Sequence, residues 1–367
     1  MILSDNSLVA ALAHADAAPQ RGNVVEMRGR GPHPLPALIA LLADVCGSDR
    51  ERLQAALAGV RAYQEHPYRR AVEPMPIVAR AGPASLRDYG GAGPVVVFVP
   101  SIINPPTVLD LAVDNSLLRW LAGCGLHPLM VDWGDAGEAD EALNLADLVS
   151  ERLVPLLRSI DAPFALAGYC LGGTLALAGA ALVRPTRIAL IATPWHFSGY
   201  DATQRADITA HFKAVDPLIE ALHCLPMELL QPGFWALDRE TVVDKFVAFG
   251  RRDPDSPAAR AFVELEDWAN TGPPLPPQVA RDLFRHLFAD DLSGTGEWRI
   301  GGTPVCPKAL QVPILDIVAT RDRIVPAGSA LNLGTRLDLP LGHVGMIVSS
   351  RAPALLWEPL AHWLRGD

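Results

Sequence analysis

No run of apolar residues in this chain is long enough to cross a bilayer. The segment Leu35–Ala43 falls far short of the roughly 20 residues that a helical span needs, so no transmembrane segment is expected. Cysteine is sparse. Cys46, Cys124, Cys170, Cys224 and Cys306 are scattered, odd in number and without a C-x-x-C pair. That pattern supplies neither a zinc ligand set nor a disulfide framework, and it suits a reducing, cytoplasmic compartment. No metal and no cofactor is expected. Positive charge is also short: the net charge is −10 and no Lys/Arg cluster stands out, which argues against nucleic acid as a partner. The opening residues lack a basic segment followed by a long apolar run, so no secretory signal is read there. No internal repeat or low-complexity tract is visible.

Apolar residues make up 50% of the chain and charged residues 20%, the balance of a globular protein rather than a disordered one. The 367 residues suffice for one large α/β domain with an insertion. Prolines are many, 33 in all, and they mostly mark element ends, as at Pro94, Pro100, Pro105-Pro106, Pro313 and Pro326.

Along the chain, residues 1–34 read as a polar lead-in. Residues 36–66 hold two helical patterns broken at Gly47-Ser48, with Ser48 as the expected cap of the second. From Pro76 the pattern becomes α/β. One strand is expected over 77–89, and the continuous run Val95–Val99 reads as a strand covered on both faces. A helix over 107–124 and a strand His127–Trp133 follow. Leu145, Leu148, Val149, Leu153, Leu156 and Leu157 then share one helical face. A strand over 164–169, a helix and the strand Arg187–Ala192 complete this half. Strands alternating with helices imply a doubly wound, mostly parallel sheet. From about 196 to 305 the alternation stops in favour of a helical, proline-interrupted segment, read as an inserted cap that moves over a pocket. The expected organisation is therefore a helical N-terminal segment (1–75), a core in two parts (76–195 and 306–367) and the cap (196–305). The sheet resumes at Val312 and the chain closes with an apolar helix, Pro353–Leu364.

The stretch Gly168-Tyr169-Cys170-Leu171-Gly172-Gly173 is the most informative. It has the form of a nucleophile elbow, G-x-Nuc-x-G between a strand and a helix, with cysteine at the reactive position. A sharp strand-to-helix turn needs small neighbours, which Gly168, Gly172 and Gly173 provide. It also sets Cys170 at a helix N-terminus, where the dipole favours a thiolate. The bland alternative is a buried structural cysteine. In this fold class the partners follow in the order acid, then histidine. His343, between glycines in Leu-Gly-His-Val-Gly, is the candidate base. Two acids compete. Asp316 lies inside an apolar strand, whereas Asp322 lies just past its end, where loops carry reactive groups, and Asp322 is preferred. His127, His196, His211, His223, His286 and His362 lack such a context and read as solvated or capping residues.

These motifs resemble those of the polyhydroxyalkanoate synthases of the α/β-hydrolase superfamily, particularly the short, class III-like members. The resemblance covers roughly residues 60–365. It rests on Gly-Tyr-Cys-Leu-Gly-Gly, Val-Pro-Ser-Ile-Ile-Asn (99–104), Val131-Asp132-Trp133-Gly134, Ala192-Thr193-Pro194-Trp195-His196-Phe197, Asp322-Arg323-Ile324-Val325-Pro326 and Gly342-His343-Val344-Gly345. Many members carry histidine where Arg323 stands. The resemblance implies an α/β-hydrolase fold and a polymerase that takes 3-hydroxyacyl-CoA thioesters, releases CoA and extends a polyester. It further implies that Cys170 carries the chain, His343 is the base, Asp322 supports it, and the amides of Leu171 and Ile103 form an oxyanion hole. A homodimer or a second synthase subunit, and attachment to polyester granules, are implied as well. Independently, a thiolate suits exchange between thioesters, so cysteine leans toward acyl transfer over hydrolysis, and a cap would exclude water. A cysteine-dependent hydrolase of esters, thioesters or the polymer is the second reading, and a non-catalytic granule-associated protein the third.

Overall fold

The computed structural model describes residues 30–366. Of the expected lead-in, residues 1–29 lie outside the described residues. Eight strands form one sheet: β1 (Ile77–Ala81), β2 (Ala84–Asp88), β3 (Val95–Val99), β4 (His127–Asp132), β5 (Phe164–Tyr169), β6 (Ile188–Ile191), β7 (Ile314–Ala319) and β8 (Thr335–Leu339). They are arranged β1-β2-β4-β3-β5-β6-β7-β8. From β4 to β8 across the sheet every pairing is parallel, and β2 runs antiparallel to both its neighbours. This order, with the second strand reversed, is that of the α/β-hydrolase fold. The central strands are continuous aliphatic runs because helices cover both of their faces: β5, β6 and β7 are buried at every position.

Helices are numbered as follows: α1 (Leu35–Cys46), α2 (Arg50–Glu65), α3 (Leu117–Gly123), α4 (Leu145–Asp147, a wide turn Leu148–Leu153, then Val154–Arg158) and α5 (Leu171–Ala180). The wide turn in α4 precedes Pro155, whose ring removes a backbone donor from the regular helical ladder. The segment after β6 contributes α6 (Ala202–Leu222), α7 (Met227–Ala236), α8 (Arg239–Phe249), α9 (Pro257–Ala269) and α10 (Pro277–Asp282, widening over Leu283–Ala289). The chain ends in α11 (Glu358–Arg365).

Four local expectations change. The strand expected over 77–89 is a hairpin, because Gly82 takes a positive φ of 61° before Pro83 and folds β2 back on β1. Only the end of the helix expected over 107–124 forms. Asp110 is drawn inside by Arg119 Nε at 2.8 Å and Tyr89 Oη at 3.1 Å, and the chain makes a short ladder before Ser116 caps α3. The cap of α2 is Asp49, which accepts from the Arg52 amide at 2.9 Å, rather than Ser48. Strand β8 goes unread in the sequence, because Thr-Arg-Leu-Asp-Leu is largely exposed at the sheet edge and carries no apolar run.

A second core lies apart from the sheet. Leu38, Leu42, Val60 and Tyr63 of α1 and α2 pack with Phe246 of α8 and Val263 of α9. Gly59 permits the contact, since a Cβ there would fall 1.9 Å from the Phe246 carbonyl oxygen. Asp267 ties the same elements together, accepting from Arg30 Nε at 2.8 Å and from Tyr63 Oη at 2.9 Å. The helices before the sheet and those inserted after β6 thus share one apolar interior. Phe246 is fully buried there, so Phe246→Ala should cost about 3–5 kcal/mol. The measurement is urea denaturation, joined by limited proteolysis, which should cut α1–α2 and the 196–305 segment together rather than one alone.

Candidate functional site

At the end of β5 the chain turns sharply into α5, and Cys170 occupies the turn at φ 55° and ψ −133°. A non-glycine residue held there is strained, and the surrounding packing keeps it in place. The Cys170 amide donates to the Ile191 carbonyl at 2.9 Å, and its carbonyl accepts from Gly173 at 2.9 Å. The flanking glycines are dictated by contact. A Cβ on Gly168 would lie 2.2 Å from Gly173 Cα, one on Gly172 would lie 2.0 Å from the Val99 carbonyl oxygen, and one on Gly173 would lie 1.9 Å from Thr193 Oγ1. Leu171 opens α5, so its amide points out of the helix without an intrahelical acceptor.

Asp322 stands in the turn after β7. Its Oδ1 accepts from the amides of Ile324 at 2.8 Å and Val325 at 2.9 Å, which leaves Oδ2 facing His343 Nδ1 at 2.6 Å. The carboxylate is fully buried. His343 follows β8, and its ring stacks on Tyr169 with centroids 5.1 Å apart. The Tyr169 hydroxyl donates to the His343 carbonyl at 3.3 Å. With Nδ1 engaged by Asp322, the other ring nitrogen is left for Cys170, whose charge acts on the imidazole. Burial opposes a charge on the imidazole, but the charges of Cys170 and Asp322 and the hydrogen bonds to both outweigh it, and the His343 pKa is pushed up to about 10.

The structure thus brings Cys170, His343 and Asp322 together. Asp316 is elsewhere: its Oδ2 accepts from the Asn332 amide at 2.7 Å, and burial raises its pKa. The Ile103 amide is engaged by Ser101 Oγ at 3.2 Å, so it can meet a developing oxyanion only after that bond breaks. Among the described residues no group of three or more His, Cys, Asp or Glu side chains could hold a metal, and no helix is long and apolar enough to cross a membrane.

Two features of the surroundings were not legible in the sequence. Tyr200, buried at the start of the inserted segment, has its pKa raised well above the ordinary tyrosine value by burial and by the charges of Cys170 and Asp322. The ends of the insertion are also pinned beside the acid turn. Asp291 accepts from the amides of Phe197 at 2.8 Å and Ser198 at 3.0 Å, and Ser293 Oγ donates to the Trp195 carbonyl at 2.6 Å. The Ser329 carbonyl accepts from both Trp195 and His196. Nothing in the local pattern of these residues signals such long-range pairing. A cleft open to solvent lies between Trp133, Ile102 and the Pro273–Pro276 segment. It does not reach Cys170. A smaller apolar space lined by Ile102, Leu171, Leu175 and Leu283 sits behind the elbow.

Two measurements follow from this geometry. Gly172→Ala should lower stability by about 3 kcal/mol, because backbone atoms of β3 and Pro100 would have to move. Gly345→Ala, where a Cβ meets nothing within 4 Å, should change stability by less than about 0.5 kcal/mol in the same urea titration. The folded-state pKa of His343 lies above its ordinary 6.5, so the stability it contributes is complete below pH 6.5 and is lost as pH rises through about 10. Thermal melts of the protein and of His343→Gln should therefore converge across that window.

No family profile matches the chain. Three curated relatives are called poly(3-hydroxyalkanoate) polymerase subunit PhaC. That of Synechocystis is 28% identical over 290 residues, covering 73% of this chain and 77% of the relative. That of Allochromatium vinosum is 26% identical over 286 residues, covering 73% and 80%. That of Haloferax mediterranei is 25% identical over 284 residues, and the match spans only 58% of its length. Among solved structures, a monoacylglycerol lipase from Paleococcus ferrophilus superposes with a TM-score of 0.48 at 13% identity, covering 77% of this chain and 98% of the lipase. Over nearly three quarters of its length, then, this chain is similar in sequence to poly(3-hydroxyalkanoate) polymerase subunits, and it carries the α/β-hydrolase fold.

Proposed function

We propose that the protein is an acyltransferase that polymerises 3-hydroxyacyl-CoA thioesters through covalent intermediates on Cys170. The observation that carries this reading is a cysteine held at a positive-φ elbow, whose charge raises the pKa of a histidine whose Nδ1 meets a buried carboxylate at 2.6 Å. The names of the relatives supply the substrate class.

The chemistry runs in two balanced halves. His343, whose pKa is raised, holds the proton shared with Cys170, and Sγ attacks the thioester carbonyl. A bond from Sγ to the acyl carbon forms, the bond to the CoA sulfur breaks, and CoA takes up the proton from His343. In the second half, the hydroxyl of a 3-hydroxyacyl group attacks the acyl-cysteine. His343 receives the hydroxyl proton, an ester bond forms, and the Cys170 sulfur is released. Asp322 fixes the tautomer and stabilises the imidazolium in both halves. The Leu171 amide, at the helix N-terminus, is one donor to the oxyanion, and Ile103 is the second once Ser101 turns away.

Water in place of the hydroxyl would make the protein a hydrolase. Cys170 is only 8% exposed, and a covered thioester supports transfer over hydrolysis. The relatives named as subunits motivate a search for a second copy or a second subunit, and the reading places the protein on polyester granules in the cytoplasm.

The test is incubation of the purified protein with 3-hydroxybutyryl-CoA, following CoA release and insoluble polyester. Free 3-hydroxybutyrate without polymer would assign the hydrolase instead. Cys170→Ala should abolish CoA release, and His343→Gln should slow it by about 10²–10⁴. Asp322→Asn should slow turnover with little change in melting temperature, whereas Asp316→Asn should act mainly on stability. The reverse pattern would move the acid role to Asp316.

A further inference from the structure

The reacting groups are covered. Cys170 and His343 are each 8% exposed, and the Asp322 carboxylate is not exposed at all. A bulky thioester cannot reach the sulfur until part of the surround moves. The residue after Asp322 shows where that movement is controlled. Arg323 Nη1 lies 2.6 Å from Asp238 Oδ2, an ion pair joining the acid turn to the inserted helices.

The two partners are unequally committed. Asp238 is also the cap of α8, accepting from the Thr241 amide at 3.2 Å and from Thr241 Oγ1 at 2.6 Å. If Arg323 leaves, Asp238 keeps the helix N-terminus and the threonine hydroxyl. The Arg323 side chain is 63% exposed and that of Asp238 31%, so the pair sits in water and exchanges at little cost. A freed guanidinium presents a planar fork suited to a phosphate, and Arg321, exposed on the same turn, adds a second positive charge.

We propose that Arg323 is an exchangeable latch. In the free protein it holds α8 to the acid turn through Asp238, and on substrate binding it trades that carboxylate for a phosphate of the thioester's leaving group, releasing the inserted helices from the turn. This rests on the acyl-CoA reading above and adds to it the residue that takes the anionic part of the substrate.

The experiment reads opening without turnover: the rate at which iodoacetamide alkylates Cys170, followed by peptide mass spectrometry with exposed Cys306 as the internal reference. Asp238→Asn retains a good helix cap and Arg323→Gln keeps a polar side chain at an exposed site, so neither should lower the melting temperature appreciably. Both should speed labelling of Cys170 by about 2- to 5-fold, the range for losing an exposed ion pair. Arg323→Lys should label like the unaltered protein. Adenosine 3′,5′-bisphosphate, which carries phosphates but no pantetheine arm to shield the sulfur, should speed labelling of the unaltered protein and leave Arg323→Gln unchanged. Equal labelling of the unaltered protein, Asp238→Asn and Arg323→Gln would overturn the latch. So would an effect of the bisphosphate that persists in Arg323→Gln, or one matched by potassium chloride at the same ionic strength. If labelling behaves as expected but 3-hydroxybutyryl-CoA is not turned over, the latch serves another phosphate-bearing ligand and the polymerase reading fails. Turnover with unchanged labelling sinks the latch alone.

Discussion

The close approach of α5 to the end of β5 is the constraint on which the rest of the site depends. Backbone atoms of Gly168 and Gly173, and of Gly172 and Val99, meet where a methyl group would collide. That contact forces the chain through a positive φ at Cys170 and aims its sulfur out of the sheet beside a helix N-terminus. Such a turn survives only because the sheet on one side and α5 on the other are already packed. Every residue of β5 and α5 is buried, so the strain is held by a rigid interior rather than by the loop itself.

From that point the parallel sheet supplies the partners. Parallel neighbours share one carboxyl edge, so the turn after β7 and the segment after β8 arrive on the edge where Cys170 emerges. Asp322 spends one oxygen on its own turn and the other on His343, which fixes both the acid and the imidazole. Tyr169, next to the nucleophile, stacks on the same imidazole, so the elbow and the base orient one another. The outcome is a buried histidine whose pKa Cys170 and Asp322 together push above its ordinary value.

The inserted helices are tied to this machinery by hydrogen bonds at both ends. Asp291 and Ser293 pin both ends of the insertion, and the Ser329 carbonyl joins its start to the loop that follows the acid turn. On the far side, α8 and α9 share a core with α1 and α2. A displacement of these helices is therefore felt at both ends, in the N-terminal pair and beside Asp322. Coupling of this kind needs side chains that are distant in sequence, such as Arg323 and Asp238, to be neighbours in space.

Local chemistry determined what the sequence by itself made legible. The elbow was readable because its glycines, its cysteine and the apolar run before it are contiguous, and β3, β4, β5 and β6 were readable because buried parallel strands are continuous apolar runs. The preference for Asp322 over Asp316 came from position relative to a strand end, which is also local. Tertiary structure decided everything that depends on distant pairing. The exposed edge strand β8, the burial of Asp110 against Arg119 and Tyr89, the placement of Tyr200 and the shared core of the N-terminal and inserted helices all belong to that class. None carries a periodic signal, because each is selected by a partner that the chain reaches only once the sheet has formed.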